Sequence, residues 1–349
     1  MDKIVQEKVI ASIKEQIEQD PANLHNYFRL ANTYALYKDY DNALREYLAL
    51  YEKCPDNSII INSLGSIYFY LKNTDKAQEF FEKAIALKPN DFSGYMNLAN
   101  IYAEKQDYPN AFENYDKAIK LAPEKSYLYN IKADLQQEIG AVKESIKTYK
   151  QAVDIAPDNF INLVNLAGAY FAANEFEKSL EFYKKGAEIN PKNCRTYACI
   201  ANTYVILGKK EKAFEYYQKA IDADPEYYDA YLCYAMCTNN GEKAKEIFQR
   251  AIDIQPLNPK GYIALGNLFF DDKEFEKALL FYKKSIEVDP KYIIGFLSIA
   301  NTYVILNNIA TALENYKKAY DLNPDDIELM LLYNDALDEF LRRRNKEEK

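Results

Sequence analysis

Apolar residues recur along this chain as pairs of short stripes. Within residues 92–125 the first stripe is Tyr95, Leu98, Ala99 and Tyr102, spaced i, i+3, i+4 and i+7, which predicts one face of an α-helix. A polar turn follows, and Ala111, Tyr115 and Ala118 predict a second helix. The two-stripe unit returns every 34 residues, closed each time by a proline: Pro21, Pro55, Pro89, Pro123, Pro157, Pro191, Pro225, Pro256, Pro290 and Pro324. Only the interval from Pro225 to Pro256 is shorter, at 31 residues. A fixed period of this length predicts a stack of helix pairs, each burying its apolar face against its neighbours.

Aligned on the prolines, the chain divides into nine repeats: 24–57, 58–91, 92–125, 126–159, 160–193, 194–227, 228–258, 259–292 and 293–326. Residues 1–20 read as an N-terminal capping helix with a stripe of Val9, Ile10, Ile13 and Ile17. Residues 327–349 read as a C-terminal capping helix and polar tail, with Met330, Tyr333 and Leu337 at positions 4, 7 and 11 of a tenth first helix. Polar outer faces on the caps would keep the stack from extending. Arg342, Arg343 and Arg344 suit the negative end of the last helix dipole. The expected fold class is therefore all-α, an α-solenoid of helix-turn-helix repeats.

Eight positions make the pattern specific. Repeat 2 carries Ile61, Leu64, Gly65, Tyr68, Ala77, Phe81, Ala84 and Pro89 at positions 4, 7, 8, 11, 20, 24, 27 and 32. Repeat 6 carries Tyr197, Ile200, Ala201, Tyr204, Ala213, Tyr217, Ala220 and Pro225 at the same places, and position 24 is aromatic in all nine repeats. This pattern resembles the tetratricopeptide repeat across residues 24–326. HEAT and armadillo units are longer, and the nucleotide-reading pentatricopeptide arrays prefer a longer period and a basic surface. The resemblance implies a right-handed superhelix whose concave groove is lined by positions 2, 5, 6, 9, 12 and 13 of each first helix.

Two repeats depart from the pattern. Repeat 4 places Lys132, Gln136 and Ser145 where Leu, Tyr and Ala belong, so its interior is expected to pack less well. Repeat 7 is three residues short; its first helix must end early, with Asn239, Asn240 and Gly241 available for left-handed backbone angles and a local bend.

Composition narrows the function. Hydrophobic residues make up 48% and glycine only 10 of 349 residues, enough apolar surface and few enough breakers for a helical core. A net charge of −9 leaves no electrostatic footprint for nucleic acid. The N-terminus lacks the apolar run of a secretory signal, no stretch suits a membrane span, and the five cysteines (Cys54, Cys194, Cys199, Cys233 and Cys237) are odd in number and sparse, so a reduced cytoplasmic location is expected. Cys199, Cys233 and Cys237 fall close together in repeat register but lack a fourth zinc ligand, so they read as small buried hydrophobes. His25 is the only histidine, and no nucleotide loop, metalloprotease or kinase motif is present, so no enzyme activity, cofactor or metal is expected.

The groove positions supply the candidate site. Asn occupies position 9 in five repeats (Asn32, Asn100, Asn202, Asn267 and Asn301), Asn97 and Asn165 occupy position 6, and Asn62 and Asn130 position 5. An amide carries a donor and an acceptor, so such a ladder can pair with the backbone of an extended peptide; in this it resembles the superhelical region of the O-linked N-acetylglucosamine transferases. Phe28, Phe69, Phe171 and Phe270 at positions 5 and 12 are candidate anchors. Glu104, Asp134 and Glu138 form an acidic groove patch suited to a basic segment, beside isolated charges at Arg29, Arg195, Asp229 and Asp271. The basic residues of a chaperone-type carboxylate clamp are missing. The expected function is a non-enzymatic scaffold holding an extended or helical segment of a partner protein in the groove. Alternatives are a structural subunit working through its convex face or ends, and a module presenting substrate to a separate catalytic chain. The sequence leaves oligomeric state open.

Overall fold

The computed structural model describes residues 3–238 and 241–347, which form twenty α-helices and no strand. They fall into two compact units, Met1–Asn174 and Glu175–Lys349. In the first, α1 (Lys3–Gln19) precedes α2 (Leu24–Leu36), α3 (Tyr40–Lys53), α4 (Ser58–Tyr70) and α5 (Thr74–Leu87). It continues through α6 (Phe92–Glu104), α7 (Tyr108–Leu121), α8 (Ser126–Glu138) and α9 (Val142–Ile155) to α10 (Phe160–Ala172). The second unit runs through α11 (Phe176–Ile189), α12 (Cys194–Ile206), α13 (Lys210–Ala223), α14 (Tyr228–Cys237) and α15 (Gly241–Ile254). It ends with α16 (Pro259–Asp271), α17 (Phe275–Val288), α18 (Ile293–Ile305), α19 (Ile309–Leu322) and α20 (Ile327–Glu347). Even-numbered helices from α2 are the first members of the pairs. Within each unit helices pack on their chain neighbours, and pairs of first helices such as α4–α6 and α16–α18 also touch.

Small residues set the helix spacing. Ala31, Ala99, Ala167 and Ala201 at position 8, and Ala43, Ala77, Ala111 and Ala213 at position 20, are fully buried, letting the backbones approach while the position 24 ring fills the adjoining space. Burying such a ring stabilises the fold by about 2–3 kcal/mol. Asn or Asp side chains cap many helices: Asn57 accepts from the backbone of Ile59 and Ile60, and Asp107 from Asn110.

Eight of the first helices stop on a residue with positive φ at position 15: Lys38, Lys72, Gln106, Gly140, Asn174, Gly208, Lys273 and Asn307. The chain turns back there through paired bonds, Lys38 N–H to Ala35 C=O and Asp39 N–H to Tyr34 C=O. Repeat 7 ends differently. Its α14 has 10 residues against 13 in the other first helices, as expected, but Gly241 opens α15 instead of supplying a left-handed turn. Asn239 and Asn240 lie outside the described residues.

Repeat 4 satisfies its unusual polar groups. The Ser145 hydroxyl donates to Val142 C=O at 2.9 Å, Thr148 donates to the Gln136 amide oxygen at 2.8 Å, and Lys132 pairs with Asp116 at 2.5 Å. Neither α8 nor α9 has a side-chain cap.

The caps differ in part from expectation. Ile13 is buried and Ile10 and Ile17 pack beside it, but Val9 is exposed with Ile4 and Val5. In α20 Leu329 and Ala336 are buried and Tyr333 packs against the core, whereas Met330, Ile327, Leu331 and Leu341 are exposed. The outer faces are thus partly apolar. Arg343 pairs with Glu339 at 2.8 Å and donates to the Asn307 side chain at 2.6 Å, fastening α20 to the turn after α18.

Candidate functional site: the face of the first helices

Positions 2, 6, 9 and 13 are separated by four, three and four residues, so they form one stripe along a helix, with 5 and 12 beside it. Large apolar side chains stand exposed on that stripe. In the first unit they are Leu36 (73% exposed), Ile59, Tyr70, Tyr127 and Ile161; in the second, Ile206, Met236 (73%), Ile294 and Ile305. The eight-position pattern passes over these residues because it records only what is buried. Their signal was present in the sequence, as apolar side chains at positions 2 and 13 and, for Met236, at position 9.

The position 9 amides are engaged from below. The hydroxyls of Tyr47, Tyr115, Tyr217, Tyr282 and Tyr316, at position 24, donate to the Oδ1 atoms of Asn32, Asn100, Asn202, Asn267 and Asn301 at 2.5–2.8 Å. In repeat 4 Tyr149 donates to Asp134. Where position 24 is phenylalanine, Phe81 and Phe248, position 9 is Ser66 and Met236. Tyr183, whose position 9 is Gly168, interacts with Cys199. Asparagine therefore tracks the tyrosine hydroxyl. Burial pushes the phenols of Tyr47, Tyr115, Tyr217 and Tyr282 up, Tyr282 to about 12, so each stays a neutral donor. The Nδ2 groups of these five asparagines have no protein partner among the described residues.

The other candidate amides are placed differently. Asn97 donates to Asn62 Oδ1 at 3.1 Å, joining α6 to α4. Asn130 donates to the buried Asn162 at 2.7 Å, and Asn162 donates to Ala152 C=O at 2.8 Å, joining α8, α10 and α9. Asn165 is half-buried on α10.

All four candidate phenylalanines are half-buried. Phe28 meets Tyr47 edge-on at 5.8 Å, Phe270 meets Phe275 at 5.5 Å, and the Lys72 ammonium lies 5.8 Å from the Phe69 ring. Phe28 also lines a recess of roughly 290 Å³ with Leu24, His25, Leu50, Cys54 and Ile59.

The acidic patch is uneven. Glu104 is neutralised by Lys72 at 2.9 Å. Loss of hydration pushes the Asp134 carboxyl up, against the opposing effect of the Tyr149 bond. Asp134 and Glu138 both act on the Tyr115 phenol, which places their charges near one another.

The cysteines divide. Cys199 meets Tyr183, while Cys233 and Cys237 meet Tyr217; burial pushes all three thiols up, away from reactive thiolate. Among the described residues no group of His, Cys, Asp and Glu is arranged to hold a metal ion. No described helix is long and apolar enough to cross a membrane.

Sequence profiles of the tetratricopeptide repeat match residues 59–91, 92–125, 126–159, 162–193, 195–227, 259–292 and 296–326. The chain belongs to the tetratricopeptide repeat family. Protein binding is typical of this family. No relative is found among curated proteins. Solved structures similar to this chain include yeast Tom70, with a TM-score of 0.55 and 15% identity over 97% of this chain and 93% of that one. A tetratricopeptide repeat protein from Parabacteroides merdae has a TM-score of 0.53 and 19% identity over 70% of this chain and 98% of that one. YrrB, described as a TPR protein with an unusual peptide-binding site, has a TM-score of 0.39 and 25% identity over 52% of this chain and 95% of that one.

Proposed function

We propose that this tetratricopeptide repeat protein is a non-enzymatic scaffold that captures an extended segment of a partner protein on the first-helix faces of its units. The observation carrying this reading is the stripe of exposed apolar side chains beside asparagine amides on the first helices. First helices leave aliphatic and aromatic side chains exposed beside amide N–H groups without protein partners. Second helices expose Leu87, Leu121, Ile155, Ile189 and Leu322 at their last residue and Leu280 within α17, while Lys117–Glu113, Lys185–Glu181 and Lys219–Glu215 are ion pairs one turn apart along them. A surface of apolar anchors with amide donors suits a peptide, whose side chains need pockets and whose backbone needs partners. The recess at Phe28 would take one apolar side chain, and Asp134 with Glu138 would favour a basic residue on the same segment.

The test uses peptides selected on the protein from a displayed library. Asn100, Asn202 and Asn267 changed together to Ala, or Ile59, Ile206 and Ile305 changed to Ser, should abolish binding while circular dichroism stays unchanged. Retained binding by both variants refutes capture on this face.

A second reading has its own observation. Ile4, Val5 and Val9 on α1, and Ile327, Leu331 and Leu341 on α20, are exposed, which suits a subunit contacting others through its ends. Native mass across a concentration series, with Leu331→Glu as control, distinguishes self-association through the C-terminal cap from a monomeric scaffold.

A further inference from the structure

Sulfur is concentrated in repeat 7. Of the chain's five cysteines and four methionines, Cys233, Met236 and Cys237 all fall at the end of α14. Met236 follows Cys233 by three residues and Cys237 follows it by four, so the three side chains share one helix face. Residues so spaced hold their Cβ atoms about 5–6 Å apart. The thiols also converge on one atom: the Tyr217 oxygen lies 4.0 Å from Cys237 Sγ and meets Cys233 as well. Its proton is given to Asn202 at 2.5 Å, so its lone pairs face the sulfurs. Both cysteines are half-buried and Met236 is exposed, which leaves the group open to solvent. In the second unit position 9 runs Asn202, Met236, Asn267 and Asn301, so the thioether breaks the amide row beside the two thiols. Phe248 at position 24 calls for no amide there.

We infer that Cys233 and Cys237, with Met236 as a weaker third ligand, form a binding site for a soft monovalent cation, copper(I). This goes beyond peptide capture and does not depend on it. The donor set selects the ion. Thiolate and thioether sulfurs favour copper(I). Zinc takes four protein ligands in structural sites and three with a water in catalytic ones. Among the described residues no three His, Cys, Asp or Glu side chains are arranged to hold an ion. Cys199, at position 6 of the preceding first helix, meets Tyr183 instead and supplies no third thiolate. The surrounding charges offset one another, Asp229 acting on Cys233 and Lys210 on Cys237, which leaves the choice to the sulfurs. Burial keeps both thiols protonated at neutral pH. An entering copper(I) ion therefore displaces two protons to solvent and forms two copper–sulfur bonds, with no electron transferred. Joining Cys233 to Cys237 ties down the last turn of the short helix α14.

The probe is copper(I) itself, added under argon to the reduced full chain in competition with a chromophoric copper(I) chelator. The expected result is that one equivalent is held and protects Cys233 and Cys237 together from iodoacetamide, read by peptide mass. Cys54, Cys194 and Cys199 should be alkylated as in the metal-free protein, and zinc should protect neither Cys233 nor Cys237. Cys233→Ser or Cys237→Ser should weaken copper(I) binding by more than the roughly 10–100-fold that loss of an outer-shell partner costs. Met236→Leu should weaken it by about tenfold. Circular dichroism should be unchanged in all three. No retention of copper, copper spread over all five cysteines, or equal protection by zinc overturns the site. Unchanged affinity in Met236→Leu overturns the thioether as a ligand. The alkylation pattern of the unaltered chain decides the matter even where a variant fails to fold.

Discussion

Repeats 3 and 2 are neighbours in one unit and differ by a single hydroxyl at position 24, Tyr115 against Phe81. In repeat 3 the hydroxyl donates to Asn100; in repeat 2 the facing residue is Ser66, which turns to the Asn62 carbonyl of its own helix. Position 9 thus serves two ends. It faces outward on the first-helix stripe and inward toward a buried phenol, and all five asparagines at position 9 accept from a tyrosine, although Tyr149 meets Asp134 and Tyr183 has Gly168 at that position. A periodic amide on the first-helix face is therefore not by itself a recognition code.

The largest effect should come from breaking the pair in repeat 3. Asn100→Ala leaves the buried Tyr115 hydroxyl without its partner and is expected to cost about 1–3 kcal/mol. Adding Tyr115→Phe should recover much of that loss, a coupling measurable by a double-mutant cycle in urea. No recovery would mean that the asparagine acts alone.

Next is the left-handed residue that ends the first helix. Lys38 carries a φ of 62° where Gly208 carries 70°. Lys38→Gly should stabilise by up to about 1 kcal/mol and Gly208→Ala should destabilise by a similar amount, both read as shifts in melting temperature.

Alkaline pH sharpens the comparison in solution. The buried phenols ionise above their ordinary value, Tyr282 at about 12. The native state holds these protons more tightly than the unfolded chain, whose phenols ionise near 10. Stability is thus intact below pH 10 and falls as pH rises from about 10 to 12. Tyr282→Phe should flatten that slope in a pH series of melting curves.

The smallest effect belongs to repeat 2. Ser66→Ala removes no partner of a buried ring, since Phe81 needs none, and should stay within about 0.5 kcal/mol. A larger loss would mean that position 9 matters for packing whatever stands at position 24.

Much of the fold was legible because it rests on periodic burial. The prolines set the period, and the small residues at positions 8 and 20 with the ring at 24 are where the helices meet. Position 3 escaped notice although it is buried in every repeat: it holds Asn26, Ile60, Gly94, Leu128, Asn162, Thr196, Ala230, Gly261 and Gly295, with no shared chemistry to betray it. The site was legible in outline only. Groove positions follow from helix geometry, but whether an amide is free depends on a side chain fifteen residues away, across the helix pair. That partner could have been found by asking why Ser66 and Met236 accompany Phe81 and Phe248. Repeat 4 shows the converse: Lys132, Gln136 and Ser145 look disruptive as letters, yet each finds a polar partner nearby.

The single methionine in the second unit's amide row has a consequence for sliding. On a strictly periodic track, a bound chain shifted by one rung keeps nearly all its contacts, so its register is degenerate and it can creep. Met236 interrupts the track at one rung. A segment captured on this face as proposed would place an apolar group there, so a one-step shift would bring a polar group onto the thioether of Met236. An odd rung gives a repetitive surface an origin.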